Sequence, residues 1–282
     1  MEDFFKMEAC GNSFMLVADL NPPYKDWQAV SPTLLDRNFG VGADGLLVLR
    51  PSLQADFEVE MYNQDGSAMG MCGNGIRCVA RLVKLLGLSS RDDTKLSFRV
   101  GGREIRCRLD PYSETVLVDM GTPDFERSHI PVCLPGDRLV EELECDGYKL
   151  EASFVSMGNP HCVIFCEDLD QNTCAELGRI LEHLPIFPER TNVGFCQVTS
   201  ANRITARVWE RGVGLTMACG TGACAAVVVG ARRGLCERNC EVVLPGGSLQ
   251  IQWSSDDRVH LSGPAREIFC GKLSPGFLAR IL

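Results

Sequence analysis

Short strand-like runs dominate the chain, and several of them alternate apolar and polar residues as half-buried strands do. In the first half these are GLLVL from Gly45, FEVEMY from Phe57, EIRCRL from Glu104 and TVLVDM from Thr115. In the second half they are CVIFC from Cys162, VGFCQV from Val193, ITARVW from Ile204, EVVL from Glu241 and LQIQW from Leu249. Helical spacing is rarer. Residues 73–86 carry Val79, Leu82, Val83 and Leu86 on one stripe, and residues 169–184 end in RILEHL before Pro185. Residues 220–233 are apolar nearly all round from Ala223 to Ala231, which suits a helix wrapped by sheet. Within that stretch Val227-Val228-Val229 also fits a strand, because β-branched residues favour one.

The order is strands, a helix opened by a cysteine, more strands, and then the same again. That is an internal repeat at the scale of a domain. Cys72 opens CGNGIRC, and 147 positions later Cys219 opens CGTGAC. Each is followed fifteen residues on by a Gly-Leu pair, Gly87-Leu88 and Gly234-Leu235. Turn signals at Gly121-Thr122-Pro123 mark a boundary between domains 1–121 and 122–263. The expected fold class is α+β: two pseudosymmetric domains, each a curved β-sheet wrapped around a central helix.

Composition narrows the function. The chain has 282 residues, enough for two domains, and 45% of them are hydrophobic, enough for a sizeable core. The net charge of −9 argues against nucleic acid as a partner, since phosphate binding needs a basic face. MEDFFKMEAC has no basic region followed by an apolar run, so no signal peptide is expected. No apolar stretch approaches the roughly 20 residues of a membrane span, so no membrane partner is expected either. The fifteen cysteines are an odd number in a chain too long to need a disulfide framework. Reduced thiols in the cytoplasm are the better reading. There is no C-x-x-C pair; the nearest spacings are Cys162/Cys166 and Cys236/Cys240. The four histidines have no structural zinc spacing, so no metal is expected.

The chemistry sits in the two cysteine turns. The first turn of a helix has free backbone N–H groups and the positive end of the macrodipole. A cysteine placed there can have its pKa lowered from about 8.5 into the range of roughly 3.5–7.5. The glycines let the backbone approach a ligand, and the free amides can hold a carboxylate. A single cysteine before glycine is often only a small hydrophobe in a tight turn. Two in matched settings point to proton transfer on opposite faces of one carbon. One thiolate removes the proton, the other thiol returns one, and the stereocentre inverts without metal or cofactor. Cys78 and Cys224, inside the helices, are assigned to core packing.

Several longer motifs join these turns. They are GNSF at Gly11, RNFGVGADGLL at Arg37, NQDGSAMGMCGNGIRC at Asn63, MGNPH at Met157, ERTNVGF at Glu189, WERGVGLTMACGTGAC at Trp209 and LSGPA at Leu261. In these motifs and their order the chain resembles the diaminopimelate epimerase family of cofactor-independent amino-acid racemases, which serves lysine and peptidoglycan biosynthesis. The resemblance implies an active site in the interdomain cleft, with residues 264–282 returning to the first domain. It implies Cys72 and Cys219 as the acid/base pair. It implies Asn12, Asn63, Asn159, Asn192, Glu210 and Arg211 as substrate-binding residues. The amides of Gly73-Asn74 and Gly220-Thr221 become the cradle of the reacting carboxylate. His161 and Glu210 flank the catalytic site. The family also suggests a homodimer acting on the small molecule diaminopimelate.

Residue chemistry agrees with that substrate. Diaminopimelate carries an amino acid at each end. Arg211 can fork onto the far carboxylate, and Glu210 can pair the far ammonium. Asparagine supplies donor and acceptor from one short side chain. Three segments depart from the family pattern: Glu8-Ala9-Cys10-Gly11-Asn12-Ser13, Arg99-Val100-Gly101-Gly102 and Gly214-Leu215-Thr216. Two other readings fit the cysteine pair. One is a racemase for another amino acid on the same scaffold, of proline, hydroxyproline or histidine type. The other is a non-catalytic thiol switch that reports redox state.

Overall fold

In the computed structural model of the chain, residues 3–89, 94–167 and 169–281 are described. Met1, Glu2 and Leu282, at the ends of the first expected domain, lie outside them. The chain forms two compact units, Met1–Val118 with Gly263–Leu282, and Asp119–Ser262. The first begins with β1 (Asp3–Ala9), β2 (Asn12–Ala18), α1 (Trp27–Leu35), β3 (Gly45–Pro51) and β4 (Phe57–Asn63). It continues with α2 (Gly73–Leu85), β5 (Lys95–Val100), β6 (Arg103–Leu109) and β7 (Thr115–Asp119). The second begins with β8 (Glu141–Cys145), β9 (Tyr148–Ser156), β10 (Pro160–Phe165), α3 (Gln171–Leu181), β11 (Asn192–Ser200) and β12 (Arg203–Glu210). It continues with β13 (Gly214–Leu215), α4 (Gly220–Arg232), β14 (Asn239–Leu244), β15 (Gly247–Trp253) and β16 (Val259–Pro264). The chain then re-enters the first unit with β17 (Arg266–Lys272) and α5 (Pro275–Ile281).

The two units repeat one strand order. In the first, neighbours run β17, β1, β2, β3, β4, β5, β6, β7. In the second they run β8, β9, β10, β11, β12, β14, β15, β16. Both successions read antiparallel, antiparallel, parallel, antiparallel, parallel, antiparallel, antiparallel. A parallel neighbour needs a crossover, and each parallel step here carries a helix. Helices α1 and α3 serve the first step of their units, α2 and α4 the second. Strand β17 departs from simple repetition. It fills the place in the first unit that β8 fills in the second, yet comes from the other end of the chain.

The helices opened by cysteine are the central ones. Helix α2 lies against β1, β2, β3, β6 and β17, and α4 against β9, β10, β11, β12, β14 and β15. Every residue from Gly220 to Gly230 is buried. Val227, Val228 and Val229 are helical, not strand, and have no exposed surface. Their weaker helix propensity costs a few tenths of a kcal/mol each, about, against roughly 1.5–3 kcal/mol for burying each side chain. Cys78 and Cys224 are fully buried on these helices and pack the core. No helix among the described residues is long and apolar enough to cross a membrane.

Candidate active site

Each central helix starts at its cysteine. Cys72 is the N-cap of α2, and its Sγ accepts from the Gly75 amide at 3.5 Å. Cys219 is the N-cap of α4, and its Sγ accepts from the Gly222 amide at 3.4 Å. These bonds use one of the free amides of each first turn. The glycines that donate them also let the helices approach the sheet. A Cβ on Gly75 would meet Leu47 Cδ1 at 3.3 Å, and one on Gly222 would meet Val208 Cγ2 at 2.9 Å. Cys72 is partly exposed, whereas Cys219 is buried. Burial pushes the Cys219 thiol well above its ordinary value, and the Glu210 carboxylate pushes it further. Hydrogen bonds from Thr221 and the Gly222 amide pull the other way.

In the first unit the polar candidates are joined through a buried arginine. Asn12 donates to Asp44 Oδ2 at 3.0 Å, and the Ser13 amide donates to the same oxygen at 2.8 Å. Asn74 Nδ2 reaches Asn12 Oδ1 at 3.4 Å. Arg77 has no exposed surface. It donates to Asn74 Oδ1 at 3.0 Å, to the carbonyls of Gly73 and Pro264 at 3.2 Å each, and to Cys10 Sγ at 3.7 Å. Burial keeps the Cys10 thiol neutral by raising it, so all four acceptors are uncharged. The guanidinium charge therefore adds to the positive potential at the α2 N-terminus, where Gly73 and Asn74 sit. The Pro264 contact also explains the LSGPA motif. Asn63 stands apart in a tight turn, with its amide on the Ser67 carbonyl at 2.9 Å and its Nδ2 on Ser67 Oγ at 3.0 Å.

In the second unit two networks meet around the cysteine turn. Asn159 Nδ2 donates to Thr221 Oγ1 at 3.3 Å, and that hydroxyl lies 3.5 Å from Cys219 Sγ. His161 Nε2 lies 3.0 Å from Asn159 Oδ1. Burial, with the Arg211 charge, depresses His161 to about 3, so the ring is neutral near pH 7. Asn159 Oδ1 can only accept, which puts the ring proton on Nε2 and leaves buried Nδ1 without a partner. Asn192 donates to the Pro160 carbonyl at 2.7 Å and accepts from the Arg211 amide at 2.9 Å. Arg211 Nη1 rests on the Glu189 carbonyl at 2.9 Å. Glu210 Oε1 accepts from Thr216 Oγ1 at 2.6 Å. Burial raises the Glu210 carboxyl, against the pull of its hydrogen bonds from Thr216 and Cys219.

A family model described as diaminopimelate epimerase matches residues 4–126 and 153–268. The chain belongs to the diaminopimelate epimerase family. A diaminopimelate epimerase of Desulforudis audaxviator is 45% identical over 273 residues, covering 96% of this chain and 98% of its own. One of Moorella thermoacetica is 44% identical over 272 residues, covering 95% and 98%. Among solved structures, a probable proline racemase of Agrobacterium radiobacter is similar with TM-score 0.70, 12% identity and coverage of 98% and 93%. A phenazine biosynthesis protein of the PhzF family from Bacillus anthracis gives TM-score 0.69, 13% identity and coverage of 97% and 99%. At that identity the last two speak for the fold alone, and it is the two-domain α+β fold expected.

Two of the segments that depart from the diaminopimelate epimerase pattern keep defined contacts. In the first, the Gly11 amide donates to Glu8 Oε2 at 3.0 Å, while Asp44 anchors Asn12 and Ser13. In the third, Thr216 supplies the hydroxyl that holds Glu210. Sequence reasoning gave no site role to Asp44, Arg77, Thr216 or Glu182. The first three lie inside quoted motifs, so each was visible as a letter but not as a partner. Glu182 lies in RILEHL, where helical spacing marks it only as one polar position among several.

Proposed function

We propose that this chain interconverts LL- and meso-diaminopimelate by moving the Cα proton between two cysteines, with no cofactor. The observation that carries this reading is the pair of cysteine N-caps, Cys72 and Cys219, with matching geometry on the two central helices. Full-length relatives named diaminopimelate epimerase support the choice of substrate. The thiol-switch reading accounts for neither the asparagines nor the polar residues around each turn.

The chemistry runs as follows. One thiolate takes the Cα proton, leaving the electron pair on Cα and its carboxylate. The other thiol delivers its proton to the opposite face, and the next turnover can run in reverse. No atom or electron is gained or lost. The amides of Gly73-Asn74 and Gly220-Thr221 hold the reacting carboxylate, and the buried Arg77 charge strengthens the first pair. These fixed donors stabilise the negative charge that develops when the proton leaves. General acid–base placement is worth about 10²–10⁴-fold, so this electrostatic cradle supplies much of the remaining acceleration. Burial and the Glu210 carboxylate raise the Cys219 thiol, so its proton is held until the substrate is bound and either cysteine can act as acid or base according to the direction of inversion. Asn12, Asn63, Asn159 and Asn192 orient the two amino-acid ends. Arg211 takes the far carboxylate and Glu210 the far ammonium. Neutral His161 holds Asn159 in place. A cytoplasmic homodimer is part of the same reading.

The test is a reduced-protein assay of LL-diaminopimelate in deuterated water. Inversion with one deuterium gained at Cα per event supports the reading. Inversion of proline or hydroxyproline instead, or no exchange at Cα, sinks it. Sedimentation of the purified protein tests the dimer.

A further inference from the structure

Glu182 closes α3, and only 3% of its side chain is exposed. A buried carboxylate is costly unless hydrogen bonds hold it. Here both oxygens are used. Oε2 accepts from Trp209 Nε1 at 2.7 Å, and Oε1 accepts from the Gly212 amide at 2.9 Å. Arg190 Nη1 stands 3.6 Å from Oε1. Burial pushes this carboxyl up, but the two donors, with the Arg190 charge, outweigh it and hold it below the usual value. Glu182 is therefore ionised at neutral pH.

One turn earlier on α3, Gly178 makes room for the same tryptophan. A Cβ there would come within 2.7 Å of Trp209 Cβ and Cγ. Helix α3 thus grips Trp209 at two points, by the space at Gly178 and by the carboxylate at Glu182. Glu182 also holds Gly212. Trp209 and Gly212 bracket Glu210 and Arg211. The turn between them is closed by the Val213 amide on the Glu210 carbonyl at 3.0 Å. Asn192 holds the Arg211 amide from another side.

We propose that Glu182 is a positioning residue that fixes the backbone from Trp209 to Gly212, so that Glu210 and Arg211 meet the far amino-acid end of the substrate. It touches no substrate itself. The role in catalysis rests on the diaminopimelate reading, but the backbone clamp does not.

Glu182→Gln keeps the shape and loses the clamp. A glutamine oxygen can serve one donor, and its amide then faces the other N–H. Trp209→Phe keeps the ring against Gly178 and removes one bond. For Glu182→Gln, kcat/KM for LL-diaminopimelate falls roughly 10²-fold, the scale of a misplaced binding group, and the loss is carried mainly by KM. Trp209→Phe raises KM about tenfold, the worth of one hydrogen bond to a charged group. The double variant loses less than the sum of the two single losses, because the glutamine oxygen already serves only one of the two donors. Hydrogen exchange read by mass shows lost protection over 210–213 in both single variants, while α4 stays protected. Additive losses, a fall in kcat with KM unchanged, or unchanged exchange over 210–213 overturns the proposal. Exchange needs no substrate, so it decides the clamp even where wild-type protein does not invert diaminopimelate. That latter result counts against the function alone. Should Glu182→Gln fail to fold, Trp209→Phe carries both readouts.

Discussion

Cys72 and Cys219 cap their helices with the same backbone conformation, φ −120° and ψ 111° for the first, φ −124° and ψ 112° for the second. Each sulfur takes the amide three residues on, from Gly75 and from Gly222. The match follows from the repeated strand order, which brings each cysteine out of the crossover that precedes a central helix. Each cysteine therefore has a structural task and a proposed chemical one, and the two can be separated.

Serine separates them. It is among the preferred N-cap residues, so Cys72→Ser and Cys219→Ser keep the helix start. A hydroxyl is a far poorer proton donor and acceptor near neutral pH than a thiol. Each variant is expected to melt within about 4 °C of wild type, the shift of roughly 1 kcal/mol in a chain of this size. Each is expected to lose at least about 10²-fold in turnover. Thermal melts beside a chiral assay check both. A variant that keeps its turnover refutes the two-base scheme.

His161 gives a pH dependence of stability. Its value is about 3 in the folded protein against a reference of 6.5. Above pH 6.5 neither state binds the proton, and stability is full. Below it the unfolded chain takes a proton that the folded one refuses, so stability falls as pH drops toward 3. The slope approaches about 1.4 kcal/mol per pH unit. His161→Gln can keep the donation to Asn159 and removes the titration. Urea midpoints at pH 7 and pH 5 should therefore differ more in wild type than in the variant. Equal differences in the two proteins exclude His161 as the source.

Much of this fold was legible from the sequence, for identifiable reasons. Strands such as β4, β6 and β12 face the core on one side only, so their residues alternate. Strand β2 has a continuous buried run, Phe14–Val17, which alternation does not detect. Strand β17 is exposed along nearly its whole length, so REIFCGK gives little pattern. Val227–Val229 were ambiguous because burial on every side removes the helical stripe that marks a surface helix. In the site, the cysteine turns could be read because capping is local. The links Asn12–Asp44 and Trp209–Glu182 could not, since they span 32 and 27 positions and depend on which strands become neighbours.

Glu210 should control the reactivity of Cys219. Burial is the larger cause of the raised thiol, and it stays when Glu210 becomes glutamine. The carboxylate charge, the second cause, is removed. Glu210→Gln is therefore expected to lower the pH at which Cys219 is alkylated, while Cys224, fully buried one turn on, stays unreacted. Peptide mass after timed iodoacetamide treatment across a pH series gives the midpoint. A midpoint that stays or rises rules out the charge coupling.

The two cap-adjacent glycines should respond unequally to alanine, because their neighbours differ in stiffness. Alanine in a helix gains roughly 0.8–1 kcal/mol over glycine. At Gly75 the new methyl meets Leu47 Cδ1 at 3.3 Å and Cδ2 at 3.4 Å, the far ends of a side chain that can turn aside. The gain and the crowding nearly cancel there, and Gly75→Ala should melt within about 4 °C of wild type. At Gly222 the methyl meets Val208 Cγ2 at 2.9 Å and Cγ1 at 3.2 Å, with Cys219 Cβ at 3.3 Å behind it. Valine is β-branched and stiff at χ1, so it cannot yield alone. Overpacking of this kind costs typically 1–3 kcal/mol, more than the helix gain. Relief requires α4 to move off β12, and that movement carries the Cys219 cap with it. Gly222→Ala is therefore expected to lower the melting temperature and to cut turnover more than Gly75→Ala. Melting and assay of the two variants side by side decide it, and the reverse order would show that the α4 turn, not the α2 turn, has room to relax.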